Sequence, residues 1–138
     1  MRFWDSTALV PLCLSQPLTD KARRLYEEDP ELVVWWGSSI ECASAFARSL
    51  RDRLLDPEAE AAARSFLGAL SGAWYEILPG DGLREQAHRL LRLHPLRAGD
   101  SLQLAAALEW GGTPPTGDFV TFDDRLKAAA RLEGFTVV

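Results

Sequence analysis

The chain has 138 residues, 47% hydrophobic and 25% charged, enough to bury a substantial core and too apolar for a disordered segment. No apolar run reaches the length of a membrane span, and Met1-Arg2-Phe3-Trp4-Asp5 lacks the lead of a signal peptide, so a cytoplasmic protein is expected. A net charge of −5 argues against a broadly basic nucleic-acid surface, and Cys13 and Cys42, in neither zinc nor redox spacing, read as reduced thiols.

Arg2–Trp4 reads as a first strand, with Asp5-Ser6-Thr7 as its exit and a helix cap. A short helix over Ala8–Leu14 follows, with Pro11 placed in its first turn. Thr19–Glu28 is a second helix, ended by Asp29-Pro30. Leu32–Trp35 is continuously apolar, as a strand covered on both faces must be. Ser38 opens a helix whose apolar stripe is Ile40, Ala43, Ala47 and Leu50. Asp56-Pro57 starts another, with Ala59, Ala63, Phe66, Leu67, Leu70 and Trp74 at helical spacing.

Tyr75–Leu78 is a third strand, stopped by Pro79-Gly80. Gly82–Leu93 is an Arg-rich helix burying Leu83, Ala87, Leu90 and Leu91, and Ser101–Trp110 a helix of alanine and leucine. Phe119–Phe122 is a fourth strand, Asp123–Leu132 a last helix and Phe135–Val138 a final strand. Strands alternating with helices predict an α/β protein: a parallel sheet with helices on both faces. No repeat, low-complexity tract or linker interrupts residues 1–138, which read as one domain.

Four acids fall at corresponding places: Asp5 after strand one, Glu41 after strand two, Asp100 at a helix start and Asp123 after strand four. All exits of a parallel sheet lie along one edge, so these carboxylates can converge. Oxygen ligands without a His or Cys cluster favour a hard cation, Mg²⁺ or Mn²⁺. Such an ion lowers the pKa of water and braces a phosphodiester. It would also neutralise part of the acidic charge, which keeps a nucleic-acid substrate open.

Each acid also has a purely structural role available. Asp5 and Asp123 suit helix caps, Glu41 completes Ser38-x-x-Glu as a capping box, and Asp100 suits the positive end of a helix. Asp118 precedes strand four, and five extended residues span roughly 17 Å, so it belongs to the opposite edge as a loop residue. Asp124 reads as a solvated first-turn acid.

The segments FWDSTALV, SSIECASAFAR, LRAGDSLQLAAALE and FVTFDDRLKAAA occur in an order that resembles the PIN-domain family, specifically its small VapC-type toxins. That resemblance implies a three-layer α/β/α fold around a mostly parallel sheet of about five short strands. It implies a Mg²⁺-dependent endoribonuclease, the toxin of a toxin–antitoxin pair, working as a homodimer beside a cognate antitoxin protein. Carried over by residue, Asp5, Glu41, Asp100 and Asp123 match the family's catalytic, metal-holding acids, with Asp5 and Asp100 as direct ligands. Thr121 matches the family's strand-end threonine.

Ser6 is a further supporting hydroxyl, and Arg97, three residues before Asp100, is a candidate RNA contact at the rim. Arg48 has Asp52 available as an i,i+4 partner, the ordinary arrangement of a solvated face. Trp36 is the tryptophan nearest the acids, and the stripe ending at Trp74 is either core or a partner surface. His88 and His94 carry no assigned chemistry. The alternative to a nuclease is a catalytically inactive PIN-like module that binds a protein. A haloacid-dehalogenase-type phosphatase is disfavoured because Asp5-Ser6-Thr7 stands where Asp-x-Asp is needed, and a phospho-receiver because no acidic pair precedes Asp5.

Overall fold

Alternation inside very short strands sets the architecture. The computed structural model describes residues 1–138. In β1 (Arg2–Trp4), Phe3 and Trp4 are both fully buried, yet successive side chains of a strand face opposite ways. Phe3 joins Val33, Trp35 and Phe119 in one core, whereas Trp4 joins Leu32, Val34 and Val120 in another. Burial on both faces explains why β2 (Leu32–Trp35) has no polar residue.

With β3 (Tyr75–Ile77), β4 (Asp118–Val120) and β5 (Thr136–Val137), these strands form one parallel sheet in the order β3-β2-β1-β4-β5. On the Trp4 face lie α1 (Ser6–Cys13), α2 (Thr19–Glu28), α3 (Ser38–Arg51) and α4 (Pro57–Ser71). On the Phe3 face lie α5 (Asp81–Leu93), α6 (Ala98–Gly111) and α7 (Asp124–Leu132). The three α/β/α layers expected from the sequence are present. No helix is long and apolar enough to cross a membrane.

Several local expectations change. Pro11 sits beyond the first turn of α1, inside the helix. The buried line of α3 is Ser38, Cys42 and Phe46, and Ile40 is 61% exposed, because the helix turns its small polar start toward α6. Phe66 and Leu91 are exposed, while Leu67, Leu70 and Leu90 take the core positions. Trp74 is core and donates its indole N–H to Glu76 at 3.0 Å. Asp118 is the first residue of β4 rather than a loop residue. It lies at the edge remote from Asp123, held by Arg2 Nε at 3.3 Å.

Behind the sheet, α5 and α7 are tied at their C-terminal ends. Glu133 accepts from Arg89, and its Oε1 lies 2.6 Å from His94 Nε2. Burial pushes the Glu133 carboxyl up, but Arg89 and His94 outweigh it and hold the pKa below the usual range.

Candidate active site

From β1 the sheet runs outward through β2 to β3, then the chain returns to place β4 on the other side of β1. Open parallel sheets bind ligands beyond the strand ends at such a switch point. Asp5 stands there. Its N–H continues the ladder by donating to the Val120 carbonyl at 3.1 Å, which sets it beside Thr121. The Asp5 carboxylate accepts the Thr7 hydroxyl at 2.7 Å and the Thr7 N–H at 3.2 Å. Asp5 is therefore itself the cap of α1, the structural role its place after the strand suggested.

Asp5 is only 2% exposed. Burial pushes its pKa from 3.8 to about 7; the bonds from Thr7 and Thr121 oppose the rise and the nearby Glu41 charge adds to it. No basic side chain contributes to its environment. Thr7 is the hub of this corner: its Oγ1 also accepts the Phe122 N–H at 2.9 Å and lies 3.3 Å from Thr121 Oγ1. Thr121 is fully buried and accepts the Asp123 N–H at 3.1 Å, so one chain of hydroxyls links Asp5 to the exit of β4.

Glu41 occupies the first turn of α3 and accepts the Ser6 hydroxyl at 2.6 Å. The capping box anticipated at Ser38 does not form: Gly37 is the cap position, and Ser38 is buried against Gln103, whose Nε2 donates to Ser38 Oγ at 3.0 Å. That bond pins the start of α3 to α6. Asp100, in the first turn of α6, accepts the Arg97 N–H at 3.0 Å through Oδ2, and Arg97 itself is exposed. Asp123 caps α7, its Oδ1 accepting the Leu126 N–H at 2.8 Å. Asp124 is solvated, 3.7 Å from Lys127.

The structure thus brings Asp5 and Glu41 into electrostatic contact and sets the first turn of α6 against Glu41: a methyl group on Gly99 would lie 3.9 Å from Glu41 Oε1. It does not gather three acidic, His or Cys side chains closely enough to hold a metal ion as they stand. Asp100 and Asp123 each commit one oxygen to a helix N–H, and a carboxylate has a second. An all-oxygen donor set built around a buried carboxylate with no cationic partner fits a hard divalent cation. Beside it opens a cleft of about 450 Å³ lined by Ser6, Thr7, Ile40, Glu41, Ser44 and Arg48.

The family model described as PIN domain matches residues 2–132. The chain belongs to the PIN domain family. No characterised protein matches it significantly by sequence alone. Among solved structures, this PIN domain is similar to Mycobacterium tuberculosis VapC20, described as a sarcin-ricin loop cleaving toxin, at 20% identity and a TM-score of 0.72. That match covers 99% of this chain and 97% of VapC20. It is also similar to FitAB bound to an IR36 DNA fragment (11% identity, TM-score 0.69, 100% and 94% covered). A further neighbour is FitAcB from Neisseria gonorrhoeae (13%, 0.68, 99% and 96%). At these identities the likeness is one of fold.

Two positioning residues escaped sequence reasoning. Thr7 was seen only as a possible cap, although a hydroxyl two residues after a strand-exit acid is well placed to bond back to it. Gln103 carried a clearer signal, a lone amide inside the otherwise apolar run Leu102–Leu108.

Proposed function

We propose that this PIN domain is a divalent-metal-dependent endoribonuclease and the toxin of a toxin–antitoxin pair. The observation that carries the reading is Asp5: a carboxylate buried at the switch point, held in place by hydroxyls and facing Glu41, with no positive side chain to balance it. Asp5 and Glu41, with the free oxygens of Asp100 and Asp123, would hold Mg²⁺ or Mn²⁺. A bound cation would supply Lewis-acid stabilisation of the phosphodiester and a lowered pKa for the attacking water.

The protein's own part is orientation. Thr7 and Ser6 fix the Asp5 and Glu41 carboxylates in one geometry, Thr121 holds the backbone at Asp123, and the Ser38–Gln103 bond fixes α3 against α6. Arg97, exposed at the start of α6, is placed to touch RNA at the rim. The likeness to a sarcin-ricin loop cleaving toxin supports RNA as substrate, and the proposed site of action is the cytoplasm. An antitoxin partner and a homodimer complete this proposal, and residues 1–138 act in it as one catalytic domain.

The test compares wild-type protein with Asp5→Ala on RNA in Mg²⁺ and in EDTA. Cleavage by wild type in Mg²⁺ alone is the expected result, and equal cleavage in all four samples discards the metal mechanism. The absence of three convened ligands favours a second reading, an inactive PIN-like module that binds a protein partner. It predicts no RNA cleavage with any divalent metal and an Asp100→Asn protein as stable as the parent or more so.

A further inference from the structure

We propose that the cleft along α3 is the subsite for a nucleotide flanking the scissile bond, with Arg48 binding its phosphate. This inference rests on the ribonuclease reading above and adds to it a binding residue.

Glu41, Ser44 and Arg48 stand at i, i+3 and i+7 on α3 and line one cleft, so they share a helix face. Seven residues of helix carry Arg48 about 10 Å along the axis from Glu41. That reach suits a neighbouring phosphate rather than the one being cut. Arg48 also lacks the partner the sequence offered it: no ion pair with Asp52 forms, and Asp52 ends the helix as its C-cap. Arg2, Arg64, Arg84 and Arg89 each face a carboxylate, and Arg48 is among the other arginines, which do not; its place in the cleft is what sets it apart.

Arg48 and Arg51 both stand in the last turn of α3, where a positive charge complements the helix dipole. Arg48 differs in opening onto the same cleft as Glu41. An RNA strand approaching Asp5 and Glu41 meets negative charge, and an unpaired guanidinium on the approach offsets that repulsion while offering paired donors to a phosphate. Ile40, Ser44 and Arg48 form the α3 wall of the cleft, the exposed Ile40 side chain offering an apolar surface for a ribose or base, and Ser6 and Thr7 of α1 line it as well.

The test measures binding of a fluorescently labelled single-stranded RNA by anisotropy, across a salt series with Ca²⁺ in place of Mg²⁺. It uses the wild-type chain, Arg48→Ala, Arg48→Lys and the distant control Arg131→Ala. A gel of the same samples reports any cleavage, and sedimentation reports oligomeric state. The expected result for Arg48→Ala is roughly a tenfold loss of affinity at low salt, with the slope of log K against log salt shallower by about 0.7, one phosphate contact on a single strand. Arg48→Lys should recover the slope, and Arg131→Ala should leave it unchanged.

An Arg48→Ala protein with wild-type affinity and slope overturns the subsite, and the nuclease reading then stands or falls separately on cleavage by wild type in Mg²⁺. A change in oligomeric state with RNA binding intact likewise overturns it and assigns the cleft to a protein interface. Failure of the wild-type chain to bind this RNA also overturns the subsite and leaves the nuclease reading to the cleavage assay.

Discussion

Asp5→Asn separates a carboxylate kept for chemistry from one kept for structure. Asn retains the acceptor oxygen that caps α1 through Thr7, so the cap survives and mainly the charge is removed. A folded-state pKa raised from 3.8 to about 7 means the folded protein binds a proton more tightly than the unfolded chain. Stability therefore falls as pH rises from about 4 to about 7, and the full penalty applies above that range. The interval corresponds to about 4 kcal/mol, of which imperfect hydrogen bonding by the Asn amide returns a part.

In EDTA at pH 8, urea unfolding should find Asp5→Asn more stable than wild type by about 2–4 kcal/mol. The gap should close near pH 3, where the wild-type carboxyl is largely protonated in both states. Adding Mg²⁺ should raise the wild-type midpoint and leave Asp5→Asn unmoved, since a ligand stabilises only the state that binds it. An Asp5→Asn protein less stable than wild type at pH 8, or a difference that persists at pH 3, refutes the reasoning.

Thr7→Val should keep the fold and lower RNA cleavage by about 10–100-fold, with Thr7→Ser close to wild type, because the hydroxyl orients Asp5; steady-state rates on one RNA check this. Gln103→Ala should cost about 1–3 kcal/mol in urea unfolding by leaving the Ser38 hydroxyl unpaired. Removing both groups in Ser38→Ala with Gln103→Leu should cost less than the single change. Glu133→Gln should destabilise at pH 7 by about 1–3 kcal/mol through its lost charged bonds. Because the Glu133 pKa is held below its ordinary 4.5, that difference should shrink progressively as pH falls below 4.5. Urea midpoints at both pH values decide it.

The sequence by itself determined the order of elements, the parallel sheet and the edge on which the acids stand. Those follow from local facts: Leu32–Trp35 is apolar throughout, Asp5 and Asp123 follow short strands, and strands alternate with helices. It left open which acids cap helices and which face one another, because Asp and Glu suit both roles equally. Only tertiary structure decided that Ser38 turns inward to Gln103 and so breaks the apparent capping box, leaving Glu41 to Ser6. Only it decided that Asp5 is at once a cap and a desolvated carboxylate, since burial depends on how β4 and α1 close around it. Arg48 shows the same division: its spacing from Asp52 promised an ordinary surface pair, and the packing of α1 against α3 placed it in a cleft with Glu41 instead. Helix periodicity states which residues share a face; what that face meets is set by contacts between segments remote in the chain.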